Sequence, residues 1–251
     1  MLTNKTIFIT GATAGFGLAC AKLFVENGAK VIATGRREDR LCALKKELGS
    51  RLHTITLDVR ERKAVKAAIA ALPADFSAVD ILVNNAGLAL GLSPLQDQLE
   101  DDLQQMIETN IMGVVHCTRE LLPAMIARRS GHIVNISSIA GTYPYPGGNV
   151  YGATKAFVTQ FSLNLRADVL GKNIRVTNIE PGMCDTEFST VRFHGDQNKA
   201  DSVYEGMQPL SAEDIANTIL WTISQPPHVN INRVEIMPTQ QAFSPFAVSR
   251  E

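Results

Sequence analysis

The chain has 251 residues, 45% of them hydrophobic, and a formal net charge of -1. That charge leaves no electrostatic footprint for nucleic acid or an anionic membrane, and no apolar run approaches the length of a membrane span. The four cysteines (Cys20, Cys42, Cys117, Cys184) form no CxxC pair, and the five histidines show no metal spacing, so no metal site is expected. Met1 to Lys5 lead straight into a strand pattern with no leader-like apolar region, which suits a reduced, cytoplasmic protein.

The elements alternate from the start. Thr6–Thr10 reads as a strand, and Gly11-Ala12-Thr13-Ala14-Gly15-Phe16-Gly17 as a turn into a helix that stops at Gly28. Lys30–Thr34 is a second strand, followed by a helix over Glu38–Leu48 and a third strand over Leu52–Leu57. Glu61–Leu72 is helical, Ile81–Asn84 a short strand, and Asp101 to Arg129 one long helical stretch. Ile133–Ser137 is a strand, Val150–Leu170 a long helix, and Ile174–Glu180 a strand. A polar, irregular region runs from about 183 to 210. Ser211 caps a helix to Ser224, with Trp221 expected in the core, and Arg233–Met237 is the last strand. Such alternation predicts an α/β fold: one doubly wound parallel sheet of about seven strands, helices on both faces, in a single domain over 1–251.

Tyr151 and Lys155 are four apart at the head of the long helix, so they share one face. Ser138 stands at the end of the preceding strand. A phenol beside a cation can exchange protons near neutral pH, because a nearby positive charge favours the phenolate. A serine hydroxyl can hold an oxygen on which charge develops. The bland alternative is a surface Tyr and Lys at chance spacing. The glycine turn follows the first strand, where ligands of such sheets bind. Gly11, Gly15 and Gly17 would let the backbone approach a pyrophosphate at the helix N-terminus; the alternative is a tight turn with no ligand.

The glycines are spaced Gly-x-x-x-Gly-x-Gly. With Asn84-Asn85-Ala86-Gly87, Asn110, Ser138, Tyr151 and Lys155, the chain resembles the short-chain dehydrogenase/reductase family over nearly its whole length. The resemblance implies a Rossmann-type fold and site roles. The turn from Gly11 through Thr13, Ala14, Gly15 and Phe16 to Gly17 would hold the pyrophosphate. Asp58 and Val59 would border the adenine, and Asn85, Ala86 and Gly87 the ribose region. Pro181, Gly182, Met183 and Thr186 would close over the nicotinamide. Asn110 would hold a water linking Lys155 to solvent. For Asn85 and Asn110 the alternative is capping of nearby backbone. Strand two ends in Arg36-Arg37 with no acidic residue at its tip, which suits the 2′-phosphate of NADP rather than the 2′-hydroxyl of NAD.

Pro144 to Asn149, Ile179 to Asp196 and His228 to Asn232 are similar to the NADP-dependent branch that oxidises serine, L-allo-threonine and other 3-hydroxy acids and reduces malonic semialdehyde. In the expected oxidation, Tyr151 takes the hydroxyl proton, Ser138 holds the oxygen, and Lys155 holds the nicotinamide ribose and lowers the phenol pKa. Ser137 would point to the opposite face. Arg192 is the candidate for the substrate carboxylate, with His194 a weaker one, and Glu187 could meet an amino group. A surface pair with Asp196 or Glu187 is the alternative for Arg192. Tyr143, Tyr145 and Phe188 are candidate pocket walls. The competing readings are a general carbonyl or acyl ketoreductase and a non-catalytic NADP-sensing protein. The resemblance also implies a homotetramer, and a neighbouring subunit is expected to cover the apolar tail from Gln241 to Val248.

Overall fold

The computed structural model describes residues 2–250. Seven parallel strands lie in the order β3-β2-β1-β4-β5-β6-β7. They are β1 (Thr6–Ile9), β2 (Lys30–Gly35), β3 (Leu52–Thr56), β4 (Ile81–Asn84), β5 (Gly131–Ile136), β6 (Ile174–Pro181) and β7 (Arg233–Ile236). The chain reverses its direction of travel across the sheet between β1 and β4, which opens a crevice beyond the carboxyl ends of the central strands.

Alternation within the strands supplies two cores. Ile7 and Ile9 of β1 face one side, where they join Phe24, Leu41, Ile215 and Ile219. Phe8 faces the other, with Cys117, Leu121, Ile133 and Leu165. A period of two in the strand therefore sends alternate side chains to opposite helix layers. The first layer holds α1 (Gly15–Glu26), α2 (Glu38–Leu48) and α9 (Ala212–Ile223), and the second α3 (Arg62–Ala70), α5 (Gly113–Ala127) and α6 (Asn149–Asp168).

Three expectations change. The stretch from Asp101 to Arg129 is not one α-helix. It divides into α4 (Glu100–Ile107), a π-turn over Glu108–Met112 and α5. The wider turn carries Asn110, which is buried; a periodic apolar pattern cannot register one inserted residue. The irregular region holds two short helices, α7 (Glu187–Arg192) and α8 (Gln197–Ser202), capped by the side chains of Thr186 and Asp196. Trp221 is 53% exposed rather than in the core. The stripe that α9 buries runs through Ile215, Ile219 and Thr222, and Trp221 lies two residues on from Ile219, round the helix from that face. Ser211 does cap α9, in a reciprocal bond pair with Asp214. Among the described residues no helix is long and apolar enough to cross a membrane.

Candidate active site

The glycine turn is held from behind. Asn85 donates its amide to the carbonyls of Thr10 (2.9 Å) and Gly11 (3.0 Å), while Thr10 Oγ1 accepts from the backbone of Asn85 and Ala86. Gly11 and Gly15 have positive φ, +69° and +50°. A Cβ at Gly17 would collide with the Gly11 carbonyl and stand 2.6 Å from the Asn85 amide. Glycine is therefore required by conformation at two positions and by space at the third. Helix α1 starts at this turn without a side-chain cap or an acidic residue in its first turn, so its N-terminal amides face the crevice unpaired. The side chain of Asn85 is the brace of this turn, as the capping alternative has it.

At the tip of β2, Arg37 donates through Nε (3.0 Å) and a terminal nitrogen (2.9 Å) to Thr13 Oγ1. Its other terminal nitrogen meets Glu187 at 2.8 Å, and Arg40 meets the same carboxylate at 2.6 Å. Arg36 is exposed beside them. Asp58 receives the guanidinium of Arg60 on both oxygens, at 2.7 to 3.1 Å. Burial would raise the Asp58 carboxyl, but the Arg60 bonds outweigh it and hold the group low. Arg60 escaped the sequence reading, since nothing in a two-residue spacing marks a bidentate pair.

One cavity of about 400 Å³ takes in nearly all the candidate residues. From the cofactor side it is lined by Gly11, Thr13, Ala14, Gly15, Phe16, Arg36 and Arg37, then by Asp58 and Val59, and by Asn85, Ala86 and Gly87. Ser138, Tyr151 and Lys155 line its middle, and Pro181, Gly182, Met183, Thr186, Glu187 and Arg192 its far side. Gly17 and Asn110 stand outside it. A second cavity of similar volume, bordered by Arg129, Arg166 and Arg175 at the opposite end of β6, contains none of them.

Tyr151 and Lys155 occupy the first turns of α6 and are 8% and 6% exposed. Lys155 Nζ donates to the Ile136 carbonyl at 2.9 Å and lies 5.8 Å from the centre of the Tyr151 ring. A nearer cation is Arg192, whose guanidinium is 5.0 Å from that ring. The expectation of a phenol lowered by Lys155 is not met. Burial raises the Tyr151 phenol, and what opposes the rise is the charge of Arg192 and, less, the neighbouring Ser138 hydroxyl. Burial also brings Lys155 down to about 8. Ser138 Oγ accepts from the Ala140 amide (3.1 Å). Ser137 points away, donating to the Lys155 carbonyl at 2.7 Å. Asn110 sits behind Gly87: a Cβ there would be 3.3 Å from both Asn110 Oδ1 and Lys155 Nζ. Its amide is engaged by the backbone of Leu88 and by Thr154.

At the substrate end, Arg192 donates to the Tyr145 hydroxyl at 2.8 Å and stacks against Phe188 at 5.4 Å. Its Nε is buried with no partner. Neither surface pairing considered for it occurs. Glu187, expected to meet a substrate amino group, turns instead to Arg37 and Arg40 at the cofactor end. His194 pairs with Asp102 at 3.1 Å. Tyr145 and Phe188 line the cavity, as do Gln241 and Phe246 of the tail that was expected to meet a neighbouring subunit, and Tyr204, which the sequence does not single out. Tyr204 bonds the Cys184 carbonyl at 2.6 Å. No motif announces residues that reach a pocket from 50 to 100 positions away along the chain.

Comparison with known proteins agrees with this geometry. A family model described as short chain dehydrogenase matches residues 5–197. A probable NADP-dependent dehydrogenase of Haemophilus influenzae is 58% identical over all of both chains. A serine 3-dehydrogenase of Rhizobium radiobacter is 55% identical over 99% of each chain. The solved closed form of a serine dehydrogenase complexed with NADP+ superposes with a TM-score of 0.94 at 52% identity, over 98% of this chain and all of that one. The chain belongs to the short-chain dehydrogenase/reductase family of oxidoreductases.

Proposed function

We propose that this chain is an NADP-dependent oxidoreductase that interconverts a small 3-hydroxy acid, of the serine, allo-threonine or 3-hydroxypropionate type, and its 3-oxo acid. The observation that carries the reading is the guanidinium of Arg192 beside the Tyr151 ring, with one buried nitrogen still unpaired. A cation placed there gives a carboxylate a partner within reach of the group that moves the proton. Relatives named as serine and 3-hydroxy acid dehydrogenases at 52–56% identity support the same substrate class.

The dinucleotide fits the residues present. Side chains at Gly11 and Gly17 would fill the space of the turn, the α1 amides are free to meet a pyrophosphate, and Arg36 and Arg37, which line the cavity at the tip of β2, would hold a 2′-phosphate. When bound, NADP supplies the hydride acceptor or donor. The chain does the rest. Tyr151 accepts the hydroxyl proton as the alcohol is oxidised and returns it in reduction. Ser138 holds the reacting oxygen. Lys155 would hold the nicotinamide ribose, and Asn110, in the π-turn behind it, would position the relay towards solvent. Arg192 fixes the carboxylate, so the carbinol carbon is presented in one orientation.

The same reading includes a homotetramer, supported by the exposed Phe157 and Leu163 on α6. The test is a panel of serine, allo-threonine, 3-hydroxypropionate and simple neutral alcohols, followed by NADPH absorbance with NADP and with NAD, on protein sized by light scattering. We expect the acids to outpace the alcohols, NADP to outperform NAD, and a tetrameric mass. Preference for neutral alcohols removes the substrate class, preference for NAD removes the cofactor, and a monomer removes the assembly.

A further inference from the structure

Arg37 is fixed on one edge and occupied on the other. Its Nε and one terminal nitrogen both donate to Thr13 Oγ1, at 3.0 and 2.9 Å, so the guanidinium is locked to the glycine turn. The remaining terminal nitrogen, Nη1, donates to a Glu187 oxygen at 2.8 Å. Arg40 repeats the arrangement. Its Nη1 donates to the Thr13 carbonyl at 3.3 Å and to the other Glu187 oxygen at 2.6 Å. Thr13 therefore holds both arginines from the turn, and one carboxylate, which lines the cavity, bridges them.

That carboxylate comes from the substrate loop. Glu187 opens α7 and stands 150 residues along the chain from Arg37. Thr186, just before it, caps α7 by accepting from the Phe188 amide at 3.2 Å. A Cβ added at Gly15 would be 3.5 Å from Thr186 Cβ, so the start of α7 lies over the glycine turn and its first side chain reaches the tip of β2. Burial would raise the Glu187 carboxyl, but the bonds from Arg37 and Arg40 outweigh it and hold the group low. The bridge is thus charged at neutral pH.

We propose that Glu187 is an internal competitor for the 2′-phosphate: its carboxylate occupies the Arg37 nitrogen left free by Thr13 and so limits the selectivity for NADP over NAD. The assignment rests on the NADP reading. A phosphate offers more charge than a carboxylate and matches the planar guanidinium, so it displaces Glu187. Its net gain is lowered by the ion pair it breaks. A 2′-hydroxyl carries no charge and leaves that pair in place. An exposed pair of this kind is worth up to about fivefold in an equilibrium constant, and two of them meet at Glu187.

Isothermal titration of NADP, and separately of NAD, into the full chain reads the two dissociation constants. Glu187→Gln should tighten NADP at least threefold and leave NAD within twofold of wild type. Glu38→Gln removes an exposed carboxylate next to Arg37 in sequence but outside the bridge, and should leave both within twofold. Tightening of NADP by less than threefold, weaker NADP binding, an equal gain for NAD, or an equal gain in Glu38→Gln overturns the assignment. The cofactor reading fails differently, by wild-type protein binding NAD more tightly than NADP. The Glu187 assignment is judged on the shift between variant and wild type, so the two failures are distinct.

Discussion

The two ends of the cavity are built differently. The cofactor end is backbone: a glycine turn braced by Asn85 and Thr10, the uncapped start of α1, and arginines at the tip of β2. All of it comes from residues near one another in sequence or on adjacent strands. The substrate end is side chains gathered from afar: Tyr145 from the loop before α6, Arg192 from α7, Tyr204 after α8, and Phe246 from the tail. A pyrophosphate has one shape, and a turn that fits it tolerates little variation. A substrate pocket has to discriminate among similar acids, and only side chains of chosen size and charge do that. The contrast explains why Arg37 and Glu187 matter: their ion pair is where the two halves are joined.

The sharpest break would come at Tyr151, in the middle of the cavity. Tyr151→Phe removes the proton-transfer group and leaves the turn intact. Turnover should fall about 10³-fold, with NADP affinity, read by isothermal titration, within a few-fold of wild type. Activity of that variant near the wild-type level would mean that another group moves the proton. Next in size is Arg192→Met, which removes the cation beside the Tyr151 ring. A charged hydrogen bond to carboxylate is worth roughly 10- to 100-fold in binding, so KM for serine should rise by about that factor, while KM for a neutral alcohol changes less than threefold and kcat falls for both as the phenol loses its nearest cation. Equal rises in KM for acid and alcohol would assign Arg192 to packing. The smallest effect is expected at Glu187. Its two partners and its own side chain are more than 40% exposed, and such pairs contribute under ~1 kcal/mol each. Glu187→Gln should therefore shift Tm by less than about 3 °C and leave KM for serine within twofold. An increase as large as that of Arg192→Met would restore a direct contact between Glu187 and the substrate.

Gly17 and Trp221 show what kind of information a sequence carries. Gly17 was legible because a motif states it, and the structure shows the collision with Gly11 that a side chain would cause. Trp221 was misjudged because membership of a helix was read as burial, while the face of α9 that meets the sheet is settled by its neighbours. The π-turn at Asn110 was invisible for a related reason: one extra residue in a turn leaves composition and pattern unchanged.

From the sequence alone came the alternating strands and helices, the glycine turn, and the grouping of Ser138, Tyr151 and Lys155. The first two rest on local periodicity and the spacing of a motif, the pairing of Tyr151 with Lys155 on one helix face, and the joining of Ser138 to them on the family resemblance. Only the folded chain decided that Arg192 lies nearer the Tyr151 ring than Lys155 does, that Glu187 belongs to Arg37 and Arg40, and that Phe246 lines the pocket. These contacts join segments up to 150 residues apart, and their partners are chosen by packing in three dimensions, which no spacing along the chain encodes.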